Sequence, residues 1–211
     1  MPVNDSKERE FTENSFRLCY DTYDNYFTPY SASISAGTLL NCAKAVQEKK
    51  VNSAFAIIRP PGHHSSSDKC RGFCFYNNVA VTVNYLIKNF NMKIAIVDWD
   101  VHHGDGTQEI FYNENNPLFI SLHRFDKGNF YPNVTGKSSE QGEGKGKGFN
   151  INIPWNTRGL YNTKSGIGDD EYHYAFEKFV KPVLKEYEPD MIIVSCGFDA
   201  CENDPLGEMS L

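Results

Sequence analysis

The sequence lacks the features that mark membrane, secreted and nucleic-acid-binding proteins. No apolar run approaches the ~20 residues of a membrane-spanning helix. Basic residues are outnumbered, 21 Lys and Arg against 27 Asp and Glu, and the net charge of −6 argues against a nucleic-acid-binding surface. Residues 1–10 are polar and charged, so no secretory signal peptide is visible. We therefore expect a protein inside the cell, with neither a membrane nor nucleic acid as a direct partner.

The sequence lacks a cysteine pattern typical of structural metal sites, and its number of cysteines is ordinary for a reduced compartment. The chain has six cysteines, and neither Cys70 with Cys74 nor Cys196 with Cys201 has the close paired spacing of a structural zinc site. We expect all six to be free thiols, mostly packing residues, as in a reduced compartment.

The sequence does contain an alternation of short apolar runs and amphipathic stretches. Its 211 residues, 40% hydrophobic, suffice for one domain with a core, or for part of a larger one. We predict strands at 53–58, 93–98, 117–122, 149–153 and 190–197, and helices at 31–49, 77–90, 107–112 and from Asp169 onward. The last helix is expected to bend at Pro182 and to turn inward Phe176, Phe179, Val180, Val183, Leu184 and Tyr187. This alternation is typical of an α/β fold, a parallel sheet flanked by helices on both faces.

Polar clusters follow three of the predicted strands. Residues 98–106, Asp-Trp-Asp-Val-His-His-Gly-Asp-Gly, come directly after the apolar run 94–97. Residues 59–64, Arg-Pro-Pro-Gly-His-His, follow the strand at 53–58, and Asp199 follows the last strand. Carboxylates and imidazoles are costly at the end of a buried strand unless a cation or a proton transfer needs them. Because parallel sheets bind ligands at the carboxyl ends of their strands, the three clusters predict one functional site.

Asp100, His102 and Asp199 are candidate metal ligands. Asp100 and His102 are two residues apart, so in an extended segment their side chains point to the same side. With Asp199 they provide the three protein ligands that catalytic zinc usually has. Asp100 alone would more commonly be a helix cap or an ion-pair partner. The combination of Asp100 with His102 and Asp199 favours a metal site over a helix cap or an ion pair.

His63 and His64 are candidates for acid–base catalysis. Adjacent histidines in a loop are more often surface residues, but Asp98 and Asp105 offer carboxylates that could orient the two imidazoles. A histidine base is commonly held by a carboxylate on its other ring nitrogen. We expect His103, the remaining imidazole of the cluster, to be a structural residue hydrogen-bonded within its loop.

These motifs resemble those of the zinc-dependent histone deacetylases, a family with the arginase–deacetylase fold. The match begins near Tyr20 and continues to the C-terminus. Its ordered motifs lie at 59–64, 72–77, 98–106, 121–124, 152–155, 197–200 and 204–207. Arg-Pro-Pro-Gly-His-His, the Trp between Asp98 and Asp100, and Gly-Phe-Asp-Ala are similar to the class II branch.

The resemblance implies a role for each matching residue. Zinc would be bound by Asp100, His102 and Asp199, and the histidine pair would be backed by Asp98 for His63 and by Asp105 for His64, with His64 nearer the proton-transferring base. A structural potassium ion would be held by the groups around Asp98, Asp100, His102, Ser121 and Leu122. A narrow channel for the acyl-lysine stem would be lined by Gly72, Phe73, Phe130, Tyr131 and Leu206. Without the resemblance, Phe73 and Leu206 would be taken as core residues, and the choice between Phe130 and Tyr131 stays open.

The resemblance also implies an activity. It is the hydrolysis of the acetyl-lysine amide in histones or other proteins, in the nucleus or cytoplasm, with a co-repressor complex as a candidate partner. Two alternatives are an acetylpolyamine amidohydrolase and a non-catalytic, deacetylase-like scaffold.

The chain departs from the family pattern at both ends. The family's catalytic tyrosine lies in a glycine-rich motif after residues 204–207, and none of the twelve tyrosines here has that context. The family's first strand is missing, and so is the last, which would lie beside the strand at 53–58. Residues 1–211 therefore resemble an incomplete deacetylase catalytic domain, and we expect little or no turnover from this polypeptide alone.

Overall fold

The structure, a computed structural model, describes residues 22–157 and 166–211. The chain divides into two units, residues 1–82 and residues 83–211. Among the described residues, no helix is long and apolar enough to cross a bilayer. The five cysteines in this part of the chain are free thiols, as expected.

In the first unit, helix α1 spans Thr28–Gln47, and its proline lies in the first turn, where the helix does not need an N–H. Helix α2, Asn78–Phe90, starts at the end of this unit. The Asn77 side chain caps it, because its Oδ1 accepts a hydrogen bond from the Ala80 N–H at 2.9 Å. Both helices were predicted from the sequence, and both predictions are confirmed.

The predicted strand at 53–58 is wrong. These residues form no strand, and the side chains of Phe55 and Ile57 are 64% and 90% exposed. An apolar segment becomes a strand only when neighbouring strands satisfy its backbone N–H and C=O groups. Among the described residues, no strand pairs with this segment.

The second unit contains a four-stranded parallel sheet. Its strands are β1 (Ile94–Asp98), β2 (Leu118–Arg124), β3 (Asn150–Trp155) and β4 (Met191–Ser195), in the order β3-β2-β1-β4. All neighbouring strands are parallel. The predicted parallel α/β architecture is thereby confirmed.

The sheet is buried where the sequence is continuously apolar. Every residue of β1 is buried, so both faces of this strand are covered. Alternate residues of β2, Leu118, Ile120 and Leu122, join the core cluster, while Ser121 and His123 face the other side. Because Asp98 pairs in register with Ser121, a row of buried polar side chains crosses that second face.

The described part of this unit also contains the α-helices α3 (Asp105–Phe111), α4 (Asp169–Ala175) and α5 (Lys181–Tyr187). A π-helical turn, Phe176–Val180, joins α4 to α5, and Pro182 lies in the first turn of α5. Phe179 was expected to face inward, but it is 52% exposed, whereas Val180 is buried. The π turn has more residues per turn than an α-helix, so the 3.6-residue period assumed for the whole segment misplaces Phe179.

Candidate metal centre and histidine pair

Asp100, His102 and Asp199 meet at the carboxyl ends of β1 and β4. These strands are direct neighbours, with Asp98 in register with Ser195, so the loops that follow them lie side by side. One ligand atom from each of the three side chains lies within 4.8 Å of the others. The His102 Nδ1 is 3.0 Å from the Asp100 Oδ1 and 2.9 Å from the Asp199 Oδ2.

Backbone groups hold the two carboxylates in place. The Val101 N–H donates to the Asp199 Oδ1 at 2.9 Å, and the His102 N–H donates to the Asp100 Oδ1 at 2.8 Å. Gly197 allows the close approach of the second Asp100 oxygen, because a Cβ at position 197 would lie 2.1 Å from the Oδ2. The Gly-Phe-Asp segment therefore supplies both a ligand candidate and the space for its neighbour.

The electrostatics of this cluster favour a cation. Burial disfavours the charged imidazolium of His102, but hydrogen bonds to Asp100 and Asp199 and their charges raise its pKa to about 9. In the metal-free protein a proton on Nδ1 therefore balances part of the two negative charges. Two carboxylates and one imidazole, converging on one point, fit the donor set of a divalent metal ion.

Two predicted channel residues lie against His102. The Phe130 ring stacks on the imidazole, with ring centroids 5.1 Å apart and an angle of 12° between the planes. The Tyr131 ring meets the same imidazole edge-on at 5.9 Å. The structure thus places both residues beside the metal-ligand candidates. Leu206, the third predicted channel residue of this unit, is 58% exposed.

Three of the five residues expected around potassium lie buried on the neighbouring strands β1 and β2. Asp98, Ser121 and Leu122 have no exposed surface, and Asp98 and Ser121 are register partners. The Ser121 hydroxyl is 2.9 Å from the His123 Nδ1, and the His123 Nε2 donates to the Gly136 carbonyl at 2.9 Å. With the His123 proton on Nε2, the Nδ1 accepts a hydrogen bond from the Ser121 hydroxyl. The lone pairs of that hydroxyl oxygen are then left for another partner.

His103 has the surroundings of a structural residue. Its side chain is buried, with Nδ1 3.1 Å from the Thr135 hydroxyl and Nε2 3.1 Å from the Gln108 Oε1. These partners lie outside the loop in which we expected its hydrogen bonds. The bonds fix the residue that directly follows His102.

In the first unit, His63 and His64 are both buried, which excludes a surface role for the pair. Their ring centroids are 4.0 Å apart. The Arg71 Nε donates to the His64 carbonyl at 3.0 Å, and Gly72 lies directly against the His64 ring. The predicted channel residue Phe73 is 47% exposed.

The two aspartates expected to back the histidines are buried in the second unit. Asp98 is inaccessible at the end of β1, and Asp105 is the first residue of α3. Their pairing with His63 and His64 stays a prediction. The sequence predicted no role for Arg124, the last residue of the motif at 121–124. Its Nη1 donates to the Gly207 carbonyl at 2.9 Å, a contact 83 residues away that no local pattern signals.

Comparison with known proteins identifies the family. The model of the histone deacetylase domain family matches residues 2–211. Histone deacetylase HDA1 of Candida albicans is 47% identical over 192 residues, which cover 89% of this chain and 22% of the relative. Human Histone deacetylase 9 is 49% identical over 180 residues, covering 84% of this chain and 17% of the relative.

A solved structure shares the fold. The crystal structure of the HDA15 HD domain superposes with a TM-score of 0.87 at 40% identity, covering 95% of this chain and 55% of that chain. The arginase–deacetylase fold and the resemblance to class II-like members are confirmed. The chain spans about a fifth of the length of the two relatives named above. It belongs to the histone deacetylase domain family.

Proposed function

We propose that the protein is a zinc-dependent deacetylase that hydrolyses the acetyl-lysine amide of histones or other proteins. The observation that carries this proposal is the convergence of Asp100, His102 and Asp199 within 4.8 Å. Three protein ligands leave an open position for water or substrate, as in catalytic zinc sites. The family match supports the reaction type.

The metal, when bound, polarises the amide carbonyl and lowers the pKa of a bound water. Asp100, His102 and Asp199 would hold it. As a metal ligand, His102 would be a neutral imidazole, without a proton on Nδ1. The backbone N–H groups of Val101 and His102 hold the two carboxylates in the orientation that such a site would need.

His63 and His64 would move the protons of the reaction. Their ring centroids are 4.0 Å apart, so the two imidazoles would act side by side on one substrate. His64 would take a proton as water attacks, and the pair would then protonate the leaving lysine amine. Asp98 and Asp105 would orient His63 and His64, respectively, through the second ring nitrogen.

The remaining predicted residues would bind a second ion and the substrate. A structural potassium ion would lie at Asp98, Asp100, His102, Ser121 and Leu122. The stem of acetyl-lysine is an apolar alkyl chain, which aromatic walls accommodate well. We assign Phe130 and Tyr131 to this channel because both rings contact His102. Gly72 and Phe73 would line the channel too, and Leu206 would lie near its mouth.

A substrate panel tests this function on the whole protein. We expect hydrolysis of an acetyl-lysine peptide, lost in Asp100→Ala and retained in Asp170→Ala, which changes an exposed aspartate. Faster turnover of an acetylated polyamine would identify an acetylpolyamine amidohydrolase instead. Bound zinc with no turnover of any acylated amine, together with a stable partner protein, would identify a scaffold.

The cellular setting follows from the same proposal. Acetylated lysines of histone tails or other proteins would be the substrates, in the nucleus or the cytoplasm, and a co-repressor complex is the candidate assembly. The curated relatives named above are histone deacetylases, and this supports a chromatin-directed role.

A further inference from the structure

Arg124, at the end of β2, connects three loops around the metal-ligand cluster. Its side chain is only 13% exposed. The Nε donates to the Asp126 Oδ2 at 2.6 Å, and the Nη1 donates to the Gly207 carbonyl at 2.9 Å. The Arg124 backbone N–H donates to the Val101 carbonyl at 2.8 Å, between the ligand candidates Asp100 and His102.

The Arg124 guanidinium also packs on the ring of Phe130, one of the predicted channel residues. Its central carbon lies 4.4 Å from the Phe130 ring centroid, a cation–π contact. The same Phe130 ring stacks on His102. A continuous stack therefore runs from His102 through Phe130 to Arg124.

On the other side, Arg124 holds the loop that carries Leu206. Its acceptor Gly207 directly follows Leu206, and both of their N–H groups donate to the Asp204 Oδ1 at 2.8 Å. Gly207 is also packed so closely on the Asp199 carbonyl that an added Cβ would lie 1.7 Å from that oxygen. The Arg124 side chain thus contacts the Phe130 ring and also fixes the loop that carries Leu206.

We propose that Arg124 is a positioning residue that sets the separation between Phe130 and the Leu206 loop, and thereby the width of the acyl-lysine channel. This inference rests on the proposed deacetylase function for its substrate, but the anchoring of the two segments by Arg124 can be measured without turnover. Arginine suits the role because its planar fork can donate in two directions while its face stacks on an aromatic ring. Lysine provides one point charge and cannot make these contacts together.

Hydrogen exchange tests the positioning directly. In Arg124→Ala and Arg124→Lys we expect faster amide exchange in both 126–131 and 204–208, with zinc content unchanged. The control is Lys50→Ala, which removes an exposed cation paired with Glu48 and should change neither segment. Faster exchange in only one segment, or in neither, would overturn the proposal. The milder Arg124→Lys keeps the test decisive if Arg124→Ala unfolds.

Steady-state kinetics of the whole protein adds a second readout. For an acetyl-lysine peptide we expect KM to rise about 10-fold to 100-fold in Arg124→Lys, with kcat changed less, because the channel binds the stem poorly. An unchanged KM beside altered exchange would show that the loop separation does not govern substrate binding. If the unsubstituted protein hydrolyses no acetyl-lysine peptide, the deacetylase function fails, while the exchange result still decides the role of Arg124.

Discussion

Residues 54–58 and strand β1 have similar sequences and different structures. Both are short apolar runs, Ala-Phe-Ala-Ile-Ile and Ile-Ala-Ile-Val-Asp, and a pair of adjacent histidines follows each. β1 is buried at every residue, whereas Ile57 in the other segment is 90% exposed. The difference lies in the neighbours. β1 is paired with β2 on one edge and with β4 on the other.

This comparison shows that apolar character alone does not make a strand. An apolar run tends to leave water, but its backbone N–H and C=O groups must also find partners. In the described part of the chain, β1 has partners on both edges and residues 54–58 have none on either. The contribution of each segment to stability should differ accordingly.

The largest expected effect is a loss of stability when an isoleucine of each segment is shortened to alanine. Ile96→Ala in β1 should lower the free energy of unfolding by about 2–5 kcal/mol, because it leaves a cavity in a fully buried strand. Ile57→Ala should change it by less than about 0.5 kcal/mol. Urea denaturation measures both. Equal losses at the two positions would show that residues 54–58 are packed as tightly as β1.

A glycine substitution at position 197 should perturb the metal-ligand cluster and leave the rest of the fold unchanged. In Gly197→Ala the new methyl group would meet the Asp100 Oδ2, so we expect zinc affinity to fall about 10-fold to 100-fold, as when groups supporting a ligand are lost. Gly37→Ala is the control, because a Cβ there meets nothing within 4 Å. Titration against a competing chelator measures both affinities. Unchanged zinc affinity in Gly197→Ala would mean that zinc binding does not require Asp100 at its observed position.

Proton release on metal binding is a smaller expected effect, and it concerns His102 in the loop that follows β1. The pKa of His102 is raised to about 9 in the metal-free protein, so at pH 7 its imidazole is protonated. Zinc must displace that proton, and we expect release of about one proton per zinc at pH 7 and progressively less as pH rises through 9. Calorimetry in buffers of different ionisation enthalpy measures the number. Binding heats independent of the buffer at pH 7 would contradict the assignment of His102 as a ligand.

The sequence predicts the parts of this structure that depend on local spacing or on simple topology. Asp100 and His102 are two residues apart in extended chain, so their convergence follows from strand geometry. The contribution of Asp199 follows from parallel neighbouring strands, whose carboxyl ends share one edge. Both inferences need only the apolar runs and the polar residues after them.

The sequence does not predict features that depend on distant partners or on helix irregularities. The contacts of Arg124 with Phe130 and Gly207 join loops far apart in the chain, so no motif reports them. Phe179 was misplaced because a π turn breaks the helical period. The segment at 53–58 was misjudged because pairing partners cannot be read from the segment itself.

The central claim is that Asp100, His102 and Asp199 form one metal site, and elemental analysis of the purified 211-residue chain tests it most directly. We expect about one zinc ion per chain, lost in Asp199→Ala and retained in Asp170→Ala. Zinc retained in Asp199→Ala, or absent from the unsubstituted chain, would contradict the claim.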